Sequence, residues 1–236
     1  KMSTQSVLVS QSLKMSVCYI QKNGCSALID TMFKTLGRQY NTWEDQFRRP
    51  LREPQVFKGA MNNVCNAVWS RLVIVREPHE RLLSGYLEKC ANNNHVHRRN
   101  HCINAQDLSK PLPSFRAWVQ QLQLKDVSGL ANQHFRRQVD MCGLLHFRNF
   151  YTHILNMSDP SFTTNIRSVF TSHGVNSDLI ETNYPLNRVP GGHSTNATTK
   201  ICQYYDAATW TKVSQLYEKD FRHLFGGRAT SFDAMC

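Results

Sequence analysis

The stretch Arg71-Leu-Val-Ile-Val-Arg-Glu-Pro-His-Glu-Arg-Leu-Leu-Ser-Gly-Tyr86 leaves this chain few ways to fold. Leu72 to Val75 is a short apolar run rich in β-branched residues, which predicts a buried strand. Arg76 stands at its end. Pro78 then suits a first helical turn, where its fixed φ is useful and its missing N–H is no loss. Leu82, Leu83 and Tyr86 follow at helical spacing. A strand that ends in a cation and passes at once into a helix N-terminus is a place for an anion. Arg81 and Ser84, one turn apart, add a guanidinium fork and a hydroxyl. On the residues alone, a surface turn with solvated arginines is an equal reading.

An upstream stretch repeats the arrangement. Ser16 to Gln21 reads as a strand, Lys22-Asn-Gly-Cys-Ser26 as a turn, and Ala27, Leu28, Met32, Phe33 and Leu36 as one face of a helix that Gly37 can stop. Strand, glycine-bearing turn and helix point backbone N–H groups at a phosphate or sulfate. No Gly-Lys-[Ser/Thr] follows a first glycine at the Walker distance, which argues against a nucleotide kinase.

Together the two stretches resemble the Golgi carbohydrate sulfotransferases. Arg76-x-Pro78-x-x-Arg81-x-x-Ser84-x-Tyr86 is similar to their motif for the 3′-phosphate of 3′-phosphoadenosine-5′-phosphosulfate, whose strand-end Arg and helical Ser match Arg76 and Ser84. Lys22, Gly24, Cys25 and Ser26 match their 5′-phosphosulfate loop, with Gln21 in place of its usual Pro. Asn132-Gln-His134-Phe135 through Cys142 and the Phe115-Arg-Ala-Trp118-Val119 stretch resemble the chondroitin and dermatan 4-O-sulfotransferases in particular. So does the ending with Tyr217, Asp220, Phe225 and Gly226. Leu145 stands where many members carry a second Cys, so no disulfide is carried over to Cys142.

The resemblance implies an α/β fold with a mainly parallel central sheet and helices on both faces, P-loop-like, as a single catalytic domain over 1–236. Residues 1–15 are expected as a loosely ordered lead-in. It further implies sulfuryl transfer from 3′-phosphoadenosine-5′-phosphosulfate to a glycan hydroxyl. Lys22, Asn23, Gly24, Cys25, Ser26, Arg76, Arg81 and Ser84 are then the donor-binding residues, and Lys22 assists the leaving group. The base that takes the acceptor's proton is His134, whose side chain titrates near neutrality, or Glu44. Glu44 stands at the distance from the loop Lys at which some glycosaminoglycan sulfotransferases place a catalytic Glu. A sulfotransferase-like fold that only binds a sulfated or acidic glycan stays an alternative.

Composition narrows the partners. The net charge of +11 and pI near 9.4 favour a polyanionic ligand. With no zinc-finger spacing, aromatic RNA-binding motif or long basic helix, nucleic acid is not the expected partner. A nucleotide donor and an acidic glycan account for the same charge, and Arg98, Arg136 and Arg137 are the candidate acceptor contacts. Eight cysteines without a CxxC pair, and three histidines (His95, His97, His101) without acidic partners in ordered spacing, do not form a metal-site pattern. Cys90 and Cys102 flank a polar loop and either close it as a disulfide or remain separate thiols. No run of about 18 apolar residues occurs. The sequons Asn156-Met-Ser158 and Asn196-Ala-Thr198, with the resemblance, imply the Golgi lumen and the luminal domain of a type II membrane protein whose anchor lies outside this sequence.

Elsewhere, Phe115, Trp118, Val119 and Leu122 predict a core-facing helix, Leu144 to Tyr151 a strand, and Phe162 to Phe170 a helix. Trp210, Val213, Leu216, Tyr217 and Phe221 predict one final helix. Ala91 to Lys110 and Pro185 to Thr199 read as loops.

Overall fold

The computed structural model describes residues 7–35, 37, 68–91, 95–186, 195–227 and 229–236. In chain order these carry β1 (Val7–Ser10), β2 (Met15–Cys18), α1 (Cys25–Thr35), β3 (Ser70–Val75), α2 (Pro78–Lys89), α3 (His95–His101), α4 (Phe115–Gln121), α5 (Leu124–Val127), α6 (Leu144–Phe147), β4 (His153–Asn156), α7 (Phe162–Ser172), α8 (Ser177–Asn183), α9 (Ala197–Tyr204), α10 (Ala207–Leu216), α11 (Glu218–Leu224) and α12 (Phe232–Met235). The strands form one sheet in the order β1-β2-β3-β4. β1 runs antiparallel to β2, whereas β2–β3 and β3–β4 are parallel, with Val17 opposite Leu72 and Val73 opposite Ile154. This is the expected α/β fold, a mainly parallel sheet flanked by helices. None of the described helices is long and apolar enough to cross a membrane.

The chain divides into two compact units, Lys1–Val75 with Cys142–Val189 and Arg76–Met141 with Pro190–Cys236. In the first, β2 and the last four residues of β3 are buried throughout, as strands of a covered parallel sheet are. Met15, Val17, Leu72 and Ile74 recur at period two and meet Leu28, Ile29 and Met32 of α1 and Ile166 and Phe170 of α7. In the second unit, Leu82, Leu83 and Tyr86 of α2 pack with Trp118 and Val119 of α4, Trp210 and Val213 of α10, and Tyr217. Burying a side chain of this size contributes about 1.5–3 kcal/mol. The polar tips inside are satisfied: Trp118 Nε1 donates to Ile103 O at 2.6 Å and Tyr86 Oη to Pro113 O at 2.7 Å.

Three disulfides are formed: Cys18–Cys142, Cys90–Cys102 and Cys202–Cys236. The second closes the polar loop in one of the two ways its cysteines allowed. Cys142, left without a family partner, joins the end of β2. Cys25 takes no part in these bridges, and Cys65 lies outside the described residues.

Several local expectations differ from the structure. Leu144–Tyr151 is not a strand: α6 and a 3-10 turn at Arg148–Phe150 occupy it, and the strand begins at His153, where its N–H and C=O groups find β3. The apolar run was short enough to fit either element. The final helix is two, α10 and α11, which meet at Tyr217. The stretch read as a lead-in carries β1, which pairs with β2. The Ala91–Lys110 excursion contains α3, and α9 begins within the segment read as loop up to Thr199.

The bridge between Cys18 and Cys142 spans 124 positions, so it restricts the unfolded chain strongly. Replacing both cysteines with Ser is expected to lower unfolding free energy by about 2–5 kcal/mol. Urea denaturation of oxidised wild type and the double variant measures it.

Candidate active site

The loop after β2 belongs to the first unit. Gly24 has φ +71°, the left-handed conformation that glycine takes without strain, and its carbonyl accepts the first helical bond of α1, from Leu28 N at 3.1 Å. Lys22 holds the same φ of 71°, which an L-residue adopts at a cost of about 1–2 kcal/mol. Asn23 is 1% exposed, and its Nδ2 donates to Ile74 O at 2.9 Å, tying the turn to the end of β3. The loop is therefore pinned from its centre. Cys25 and Ser26 begin α1, so their N–H groups lie in the first turn, at the positive end of the helix dipole. Nearby, burial raises the Tyr19 phenol to about 12, so it stays protonated at neutral pH.

The second unit opens with Arg76. Pro78 occupies the first position of α2, as expected, and Glu77 caps the helix by accepting from Glu80 N at 2.8 Å. A carboxylate of the chain itself thus sits at this helix end and takes one of its first-turn amides. Arg76 Nε donates to Glu80 Oε2 at 3.2 Å, in a pair about nine-tenths buried. Ser84 is 3% exposed and its Oγ accepts from Thr195 Oγ1 at 2.9 Å. Also in the first turn, His79 is fully buried, stacked on Trp210 with ring centroids 3.5 Å apart. Its Nδ1 meets Glu77 Oε1 at 2.6 Å.

Arg81 is oriented differently from a solvent-facing fork. At 1% exposure, its Nη1 donates to Arg136 O at 2.7 Å and its Nη2 to Gln133 O at 2.9 Å. It braces the segment that carries His134. The three arginines read as acceptor contacts are engaged in a similar manner. Arg136 donates twice to Ala131 O, Arg137 pairs with Asp140 at 2.8 Å, and Arg98 donates to the carbonyls of Ala105, Asp107 and Lys110. His134 is half-buried, with Nδ1 2.8 Å from Asn132 Oδ1. Glu44 lies outside the described residues. Among the described residues, no group of three or more His, Cys, Asp and Glu side chains gathers in a way that could hold a metal ion.

Gln138, which carries no motif signal, and Asp220, which lies in the family-like ending, fix the backbone around Arg76. Gln138 accepts from Arg76 N at 2.9 Å through Oε1 and donates to Arg76 O at 2.7 Å through Nε2. Asp220, fully buried, accepts from Gln138 N and Val139 N, both at 2.9 Å. Burial raises the Asp220 carboxyl from 3.8 to about 6, against the opposing pull of these N–H donors and the Arg81 charge. Asp220 was visible only as part of the family-like ending, and Gln138 only as an unremarked polar residue between His134 and Cys142.

The chain matches the family model described as the sulfotransferase family over residues 5–226. No curated protein and no solved structure gives a significant match.

Gly85 sets how closely α2 approaches the His134 segment. A Cβ there would lie 2.7 Å from Phe135 Cε1 and 3.2 Å from His134 O, and Phe135 is fully buried. Overpacking of this kind costs about 1–3 kcal/mol, more than the roughly 1 kcal/mol that Ala gains over Gly in a helix. Gly85→Ala is expected to destabilise by about 1–2 kcal/mol on balance, read by thermal or urea unfolding.

For Asp220, the raised pKa means that the folded state holds the proton more tightly than the unfolded chain. Its contribution to stability is fully present below about 3.8 and is lost as pH rises through about 6. Asp220→Asn removes that dependence and turns an NH₂ towards an N–H donor, a loss of about 1–3 kcal/mol. The gap between wild type and variant is expected to be wider at pH 4 than at pH 7.5 in urea titrations.

Proposed function

The chain belongs to the sulfotransferase family, and we propose that it transfers a sulfuryl group from 3′-phosphoadenosine-5′-phosphosulfate to a hydroxyl of an acidic glycan. Sulfuryl transfer is the chemistry of the family; the donor, the acceptor and the residue roles are the proposal. The observation that carries it is Lys22, a long cation held at φ 71° three residues before the start of α1. A glycine would take that turn without strain, so the lysine there is best explained by what its ammonium does.

Each unit by itself supplies residues that suit an anionic group of this donor. Lys22, Asn23, Gly24, Cys25 and Ser26 form a glycine-bearing turn at a helix N-terminus, which suits the sulfonate and 5′-phosphate. Arg76 and Ser84 supply a guanidinium and a hydroxyl for the 3′-phosphate. When bound, the donor supplies the activated sulfuryl group. Lys22 Nζ offers positive charge where negative charge builds during transfer. His134 accepts the proton of the acceptor hydroxyl, with Glu44 the second candidate. Arg81 supports the His134 segment from below. The net charge of +11 favours an acidic acceptor. The exposed sequon at Asn196 and three disulfides suit a secretory lumen, in keeping with a Golgi location and a type II membrane protein.

Labelled sulfate transfer from the donor to acidic glycans, neutral glycans and small alcohols tests the reading, beside calorimetry of 3′-phosphoadenosine-5′-phosphate and adenosine 5′-phosphate. The bisphosphate is expected to bind more than roughly tenfold tighter, since charge-assisted bonds to the 3′-phosphate contribute about 1.5–3 kcal/mol each. Lys22→Ala is expected to lower kcat far more than it lowers affinity for the bisphosphate. Equal affinities for the two nucleotides would remove the donor assignment, and transfer confined to small alcohols would remove the glycan.

A further inference from the structure

We infer that Asn132 is a positioning residue that fixes the tautomer of His134 and thereby makes Nε2 the nitrogen that accepts a proton. The inference rests on the reading of His134 as the base and adds to it the atom that acts and the group that selects it.

A backbone N–H only donates, and His134 N lies 3.0 Å from the Asn132 side-chain terminus. That terminus is therefore the amide oxygen. The same oxygen lies 2.8 Å from His134 Nδ1. An amide oxygen only accepts, so Nδ1 carries the hydrogen. In a neutral imidazole one nitrogen donates and the other accepts, which makes Nε2 the acceptor.

The Asn132 amide is held in this orientation from both sides. Its backbone carbonyl accepts from Phe135 N at 2.9 Å and Arg136 N at 2.8 Å, so the residue sits at the head of a tight turn. Its Nδ2 faces His101, 3.4 Å from the carbonyl and 3.5 Å from Nδ1. The His101 and His134 rings stand 5.0 Å apart. Around His134, Arg81 of α2 bonds Gln133 O and Arg136 O, Arg136 bonds Ala131 O, and the Tyr217 hydroxyl of α11's cap donates to Phe135 O.

The first test reads the tautomer without activity. Nitrogen-15 NMR of the imidazoles in the whole protein at pH 8 is expected to show His134 with a protonated Nδ1 and an unprotonated Nε2. The reverse pattern overturns the inference. The second test uses pH–rate profiles for sulfate transfer by wild type, Asn132→Asp, Asn132→Ala and His134→Ala. Asp keeps both acceptor contacts and adds a negative charge, so the rising limb is expected to move to higher pH by about one unit. Ala is expected to cost on the order of tenfold or more in kcat while affinity for 3′-phosphoadenosine-5′-phosphate is kept. If His134→Ala is inactive but Asn132→Asp leaves the limb where it was, Asn132 is structural and only this inference falls. If His134→Ala keeps most of its activity and its rising limb, the base reading falls and this inference with it.

Discussion

The peptide group of Arg76 is held on both sides by one side chain, and much of the second unit depends on that grip. Gln138 accepts from the Arg76 N–H and donates a hydrogen bond to its C=O, the two bonds that a neighbouring strand would otherwise make. Arg76 lies just past the end of β3 and before the first residue of α2, and Gln138 bonds both its N–H and its C=O. A buried backbone group that loses such a bond costs about 1–3 kcal/mol. Gln138 is itself fixed through its N–H by Asp220, whose second oxygen holds Val139. The guanidinium that begins the second unit is therefore aimed by a chain of buried polar contacts.

That network is one of several that restrain the segment from Gln133 to Val139. Apart from a single 3-10 turn the segment lacks regular structure, so its carbonyls and amides need partners from elsewhere. Arg81 takes two of the carbonyls, Tyr217 takes that of Phe135, and Asp220 takes two of the amides. Buried networks of this kind are costly when incomplete and rigid when complete. In the first unit the logic is simpler: Asn23 pins a turn to β3, and two left-handed residues bend the chain into the start of α1.

Much of the fold was legible because it is written locally. The β-branched run before Arg76, Pro78 at the first helical position and the apolar period from Leu82 all act within a few residues, and β3 and α2 appear where they predict. Gly24 and Gly37 mark the turn before α1 and the stop after it, both with positive φ. The misreadings came from signals that local pattern cannot separate. Leu144–Tyr151 had the composition of a strand, but the ladder position beside β3 belongs to His153–Asn156. The break at Tyr217 interrupts an apolar period that continues on both sides of it.

The sequence by itself determined the two strand–turn–helix stretches and the membership of the chain in the sulfotransferase family, since these rest on short-range order and residue type. Tertiary structure decided what each polar side chain does. Arg81 stands in the phosphate motif by sequence, and only the fold brings the carbonyls of positions 133 and 136 to its guanidinium. Cys142 could be paired only once the fold brought it to the end of β2. The reason is physical: a hydrogen bond or a disulfide depends on the position of its partner in space, and partners this far apart in the chain meet only after the core has packed.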